Sequence, residues 1–442
     1  MSGSLRELGH DFVAEGNWER ALAVFAEAVR RQPADHRARM QAARCYAKLG
    51  EAERAVTVLH ACAEGLLKRD YLLSGIAACR QAIAIAPKQK RIDETLARIH
   101  SRAAKAVGGR AAVPPPLPPE HLYDGKVDAD LMTLQGSDLS DQAIAVLAAP
   151  DPGGQADPDA RPPLPLFADL ELDAFLELVG LMDYRELKEG DVICREGEGG
   201  DRIYVLVAGK AEVTRMVDAH AKTLAFLGGG AIFGEISLLT GAPPTSTVTA
   251  ITDCEVLEIE REDLNVLART YPSVPQVLAT FAQQRMARNL VATSPLFGPV
   301  PEVERAGLLS RFTFRALAPG EKVISEGEPV QALVLVLAGE LVVQKEDPAG
   351  GVVSLSILRE GDIAGEIALL KGLRATATVA ASRKTAVATL ERAAFEALIA
   401  QYPGIREYLD GLSDRRLKMI GEAMRPVEVL DADELVVEGD GE

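Results

Sequence analysis

A chain of 442 residues with a formal net charge of −17 is too long for one hydrophobic core, and it lacks the basic surplus that nucleic acid or an anionic membrane surface would require. Its five cysteines form no Cys-x-x-Cys pair and its six histidines are isolated, so no metal site is expected and the thiols read as reduced. The opening Met1–Glu7 carries charge where a signal peptide needs an apolar run, and no apolar stretch reaches the roughly 18 residues of a membrane span, so a cytoplasmic location is expected.

Residues 1–105 have helical periodicity. Leu5, Leu8 and Phe12 share one face, as do Leu22, Phe25 and Val29. Gly16-Asn17 marks a turn and Pro33 a break. Tyr46 and Ala55 repeat Phe12 and Ala21 at the spacing of about 34 residues typical of a helix–turn–helix repeat, with Gly50 in the turn. A looser third unit ends at Pro87, and a last helix, Ile92 to Ser101, is expected to cap the stack. This pattern resembles the tetratricopeptide repeat. The resemblance implies a peptide groove lined by Arg6, His10, Arg37, Met40, Arg44 and Lys48, basic inside an acidic protein and suited to an acidic peptide of a protein partner.

Residues 106–164 read as a linker. Proline and glycine runs at 108–109, 113–119, 150–154 and 161–165 disfavour helix and sheet. Between them, Ser140 to Ala149 is expected to form only a transient helix.

Residues 165–293 and 294–426 are two copies of one unit. Gly190 matches Gly320, Gly209 matches Gly339, Glu235 matches Glu366, and Tyr271-Pro272 matches Tyr402-Pro403. Each copy opens with a helical pattern, continues as short β-branched strands punctuated by glycine, and closes with helices, an order expected of a β-barrel or jelly roll. Both contain a related stretch: Phe233-Gly234-Glu235-Ile236-Ser237-Leu238 in the first copy, Ala364-Gly365-Glu366-Ile367-Ala368-Leu369 in the second.

These stretches resemble the phosphate-binding cassette of the cyclic nucleotide-binding domain family. The resemblance implies a multidomain chain: an all-α helical-repeat array, then two α+β β-rolls with flanking helices. In that family the Glu takes a ribose hydroxyl and an Arg nine residues later takes the phosphate. Here those later positions are Pro244 and Ala375, and Arg374 falls one place early. The implied site in the second copy is Gly365, Glu366, Ile367, Ala368, Arg374, Thr376 and Ala377. The first copy holds a degenerate pocket of Gly234, Glu235, Ile236, Ser237, Pro244, Thr245 and Ser246.

The segment 427–442 is an acidic tail without a basic residue. No catalytic constellation, cofactor motif or nucleotide-hydrolysing loop stands out. In outline, the order of interaction module, linker and tandem rolls resembles the regulatory subunits of cAMP-dependent protein kinase. The expected function is therefore that of a non-enzymatic regulatory adaptor, binding cAMP or cGMP at most in the second roll; the alternative is a scaffold whose rolls serve only as interaction surfaces. The Ala-rich, Arg-over-Lys composition suggests a bacterial source.

Overall fold

The computed structural model of the chain describes residues 4–104, 110–111, 129–151, 160–161, 164, 167–217, 220–241, 243–347 and 351–423. The proline runs at 113–119 and 152–154 and the acidic tail 427–442 lie outside the described residues. The chain divides into two compact units, residues 1–282 and 283–442.

The first unit begins with six helices: α1 (Leu5–Ala14), α2 (Trp18–Arg31), α3 (His36–Lys48), α4 (Ala52–Lys68), α5 (Leu72–Ile85) and α6 (Lys90–Ala104). Local chemistry sets their starts. Ser4 and Glu7 form a reciprocal capping box, and the Asn17 and Asp35 side chains accept from the backbone N–H groups of Arg20 and Ala38. Small residues then let paired helices close. A Cβ on Gly9 would lie 2.5 Å from the Phe25 ring, and one on Gly75 would lie 3.1 Å from Ile99. Gly75 thus does on α5 what Gly9 does on α1. The third pair is therefore α5 with α6, and the helix expected as a cap is the second half of that pair.

The expectation of a structureless linker fails for residues 129–151. After the short strand β1 (Arg110–Ala111) come α7 (Ala129–Thr133) and α8 (Gly136–Leu147). Leu139, Ala143 and Leu147 of α8 are fully buried. Their i, i+4, i+8 spacing forms one apolar stripe, which packs on the array. Polar groups fix it there. The Tyr46 hydroxyl donates to the Ser140 carbonyl at 2.8 Å, Ser140 Oγ donates to Glu51, and Arg54 pairs with Asp141 at 2.6 Å. The buried Arg39 guanidinium donates to the carbonyls of Pro33, Leu147 and Ala149. Farther on, Arg69 forks onto Asp151 at 2.5 and 3.0 Å. A helix with this many tertiary partners is not transient.

The first roll follows the short strand β2 (Ala160–Arg161), which pairs with β1. It runs α9 (Leu172–Leu181), β3 (Asp183–Leu187), β4 (Val192–Cys194), β5 (Arg202–Ala208), β6 (Lys210–Val217), β7 (His220–Gly228), β8 (Ile232–Phe233), α10 (Glu235–Thr240), β9 (Thr247–Ala250), β10 (Cys254–Glu260), α11 (Arg261–Thr270) and α12 (Ser273–Thr293). Two antiparallel sheets, β3-β10-β5-β8 and β4-β9-β6-β7, form a sandwich rather than a barrel.

In the second unit the design recurs: α13 (Glu302–Leu308), β11 (Thr313–Leu317), β12 (Lys322–Ile324), β13 (Ala332–Ala338), β14 (Leu341–Asp347), β15 (Gly351–Leu358), β16 (Ile363–Ala364), α14 (Glu366–Lys371), β17 (Thr378–Ala381), β18 (Thr385–Glu391), α15 (Arg392–Gln401) and α16 (Pro403–Ala423). Its sheets, β11-β18-β13-β16 and β12-β17-β14-β15, repeat the first roll strand for strand. Even a register shift recurs, at Val213/Thr214 in β6 and at Val343/Gln344 in β14.

Candidate functional site

The second roll holds a cavity of about 450 Å³. It is built around the turn from β16 into α14. Gly365 has φ of +90°, and a Cβ there would approach the Ala332 carbonyl at 3.0 Å, so glycine is needed for this turn. The turn delivers Glu366, only 1% exposed, into the cavity. A buried carboxylate needs a partner. That partner is Arg416 of α16, whose Nη1 donates to Glu366 Oε1 at 2.7 Å and to the Ile363 carbonyl at 2.7 Å. The walls are mainly apolar, with Ile324, Leu358 and Val379 from the sheets, Val330 from the turn before β13, and Met419 and Ile420 from α16. Ile367, Ala368, Ala375, Thr376 and Ala377 also line it, and Ser356 and Glu422 add polar groups.

Of the residues expected from the sequence, all but Arg374 lie on this cavity. Gly365, Glu366, Ile367, Ala368, Thr376 and Ala377 all line the cavity and Arg374 does not. The cause is backbone register. Ala375 N donates to the Glu328 carbonyl and Gly327 N donates to the Ala375 carbonyl, which turns the Ala375 side chain inward, 7% exposed. In an extended segment the preceding residue faces the other way. The Arg374 guanidinium accordingly sits outside, donating to the Gly327 carbonyl at 2.9 Å. Arg416 was missed by sequence reasoning. A buried Glu called for a cation, but nothing local placed one 50 residues downstream.

The first roll repeats the turn but not the chemistry. Gly234 has φ of +88°, and Glu235 and Ser237 are buried. Pro244 occupies the register of Ala375, its carbonyl accepting from Gly197 N at 2.9 Å, and it has no N–H to return the bond. A cavity of about 480 Å³ touches Gly234, Ser237 and Pro244, with Cys194, Arg195 and Arg202 on its wall, but it is not lined by Glu235. Thr245 is exposed and Ser246 half-buried; Arg215 of β6 donates to the Thr245 carbonyl at 2.8 Å. Lys345 of β14 holds the Thr376 carbonyl in the same way, at 2.9 Å.

Residues 184–271 and 314–402 match the family model for the cyclic nucleotide-binding domain, and residues 12–64 match the tetratricopeptide repeat. The two rolls are cyclic nucleotide-binding domains. Among curated relatives, the cAMP-dependent protein kinase regulatory subunit of Yarrowia lipolytica is 29% identical over 234 residues, 53% of this chain and 58% of that one. The type II regulatory subunit of Drosophila melanogaster is 26% identical over 258 residues, 58% of this chain and 65% of that one. The chain thus spans less than two thirds of the length of these relatives. They are eukaryotic, against the bacterial source suggested by composition. The cAMP-bound regulatory domain of the Toxoplasma gondii kinase also matches, at 22% identity, with a TM-score of 0.29 and coverage of 57% of this chain and 92% of that one.

The basic face of the tetratricopeptide-like array is not open. Arg6, His10, Arg37 and Met40 line a cavity of about 510 Å³ whose other wall is the first cyclic nucleotide-binding domain, through Tyr184, Glu186, Asp253 and Glu255. Arg6 pairs with Asp35 at 3.4 Å, Arg37 with Glu255 at 2.7 Å, and Arg44 approaches Glu186 at 3.7 Å, while Lys48 is exposed. Burial, then Lys188, holds the His10 imidazole below its usual range.

One further arrangement looks like a nucleophile relay. Cys62 Sγ lies 3.8 Å from His36 Nδ1, and His36 Nε2 lies 3.5 Å from Asp151. Burial pushes the thiol up to about 12 and the imidazole down to about 4. A neutral thiol without solvent access is packing, not a nucleophile. Among the described residues no helix is long and apolar enough to cross a membrane.

Proposed function

We propose that the chain is a non-enzymatic regulatory protein in which the second cyclic nucleotide-binding domain alone holds the ligand, a cyclic nucleotide of the cAMP or cGMP type. The observation that carries this reading is the Glu366–Arg416 pair lining a mainly apolar cavity. Glu366 is a fixed acceptor for a sugar hydroxyl. Arg416 makes both of its bonds through Nη1, which leaves the other edge of its guanidinium for a phosphate. The apolar walls suit a purine. The names of the relatives support a regulatory role. Binding is weak on this reading, because the single lining cation is already half-neutralised by Glu366.

The test is calorimetric titration of the full chain with cAMP and cGMP, alongside Glu366→Gln and Glu235→Gln. The expected result is binding that Glu366→Gln weakens and Glu235→Gln leaves unchanged. Ala375 and Pro244, where the family carries its phosphate-binding Arg, favour the scaffold alternative. Absence of binding to either nucleotide would put that alternative in place of the ligand reading.

A further inference from the structure

We propose that the first cyclic nucleotide-binding domain is the resident occupant of the array's basic face, so that an acidic partner reaches this face only by displacing it. This surface is separate from the ligand cavity of the second domain. The array and the first domain belong to one compact unit.

The argument starts from the first domain. On β10 and β3, Glu255 and Glu186 are direct cross-strand partners. Like charges placed so are unfavourable, and Glu255 is only 7% exposed. Among the described residues of the two strands no cation pairs with them; Tyr184 offers its hydroxyl but brings no charge. Relief comes from α3 of the array. Arg37 Nε donates to Glu255 Oε1 at 2.7 Å, Gln41 Nε2 donates to Glu186 Oε1 at 2.5 Å, and Arg44 stands 3.7 Å from the same carboxylate. The positions that should receive an acidic peptide thus receive two glutamates of the chain itself.

The contact also extends to the third helix pair. From α5, Arg80 donates to the Met182 carbonyl and lies 3.7 Å from Asp183. From α6, the His100 ring lies 5.0 Å from Phe175, and its Nε2 is 2.8 Å from the Leu170 carbonyl. Helices from both the second and the third repeat pair engage the domain, so this is docking along a surface and not one stray ion pair.

Two measurements on the full chain test the proposal. In the first, thermal unfolding compares wild type, Arg37→Glu, Glu255→Arg and the double exchange. Each single change leaves a buried charge unpaired and should lower Tm by roughly 6–15 °C, and the exchange should recover at least half of the loss. In the second, a fluorescent polyglutamate peptide is titrated into wild type and Glu186→Gln/Glu255→Gln, a variant that keeps side-chain shape and tolerates folding. The variant should bind the peptide at least about tenfold more tightly, because the competing carboxylates are gone. Equal peptide affinity in wild type and variant would overturn the proposal, as would single exchanges without effect on Tm. If removal of residues 424–442 raises peptide affinity while the Gln pair does not, the occupant is the acidic tail and the proposal falls.

Discussion

Ala375→Arg should convert the second cyclic nucleotide-binding domain from a weak site into a firm one. Ala375 lines the cavity, and both of its backbone polar groups are already bonded, so the substitution leaves the loop's hydrogen bonds in place. A cavity of about 450 Å³ gives the longer side chain room. A hydrogen bond to a charged group contributes about 1.5–3 kcal/mol, or roughly ten- to a hundredfold in affinity. Two effects reduce that figure. Glu366 competes with the phosphate for the new guanidinium, and ordering an Arg side chain costs up to about 2 kcal/mol. The expected gain for cAMP is therefore near the lower end, about tenfold. Calorimetry at fixed salt measures it, with a melting curve to show that the variant is folded. Pro244→Arg in the first domain should gain less, because the cavity beside Pro244 does not include Glu235. A folded Ala375→Arg variant whose Kd stays within about threefold of wild type would refute the reasoning that the phosphate lies beside residue 375.

His36 sets a pH dependence. Burial lowers its folded pKa to about 4, whereas the unfolded value is about 6.5, so between these values the unfolded chain binds more protons and stability falls as pH drops. Unfolding free energies from urea titrations at pH 7 and pH 5 should differ by about 2 kcal/mol more in wild type than in His36→Asn; an equal difference in both would contradict the buried neutral imidazole. Tyr46→Phe removes the bond to the Ser140 carbonyl and should cost about 1 kcal/mol, read from denaturant unfolding. Arg39→Met leaves the carbonyls of Leu147 and Ala149 without this donor and should cost about 3 kcal/mol or more, with α8 becoming protease-sensitive; in wild type, mapped cuts should avoid residues 136–147.

The duplicated architecture was legible because its markers are local. Gly234 and Gly365 each permit a left-handed turn that other residues resist, and the repeat spacing of Phe12 and Tyr46 needs no tertiary knowledge. What escaped depended on distant partners. The α8 stripe of Leu139, Ala143 and Leu147 is visible in the sequence, but flanking prolines argued for a linker, and only the array's surface makes burial of the stripe favourable. Arg374 shows a finer limit. Alternation along an extended segment is predictable, but its phase is set by which carbonyl Ala375 N reaches, and a shift of one residue moves a guanidinium from cavity to solvent. The basic residues Arg37 and Arg44 could be read from the sequence, but not the groups that meet them in the structure. A pair of glutamates on neighbouring strands, Glu186 and Glu255, leaves no linear motif.

The two cyclic nucleotide-binding domains share a backbone and differ in where their charges are committed. In the first, arginines near the cassette hold structure. Arg261 donates to the carbonyls of Gly200, Ser237 and Leu238, Arg202 joins the buried Glu258 to the more exposed Glu260, and Arg215 holds Thr245. Of its other buried acids, Glu235 and Glu255, the second faces the array. In the second domain the buried Glu366 and its Arg416 face a cavity instead. Arginine suits each of these places because one planar fork can serve two acceptors at once and stays charged on burial. A lysine at 416 could bridge Glu366 and the Ile363 carbonyl but would present no second edge to a ligand. Divergence of the two copies thus needed no change of fold, only a change in which groups the buried carboxylates meet.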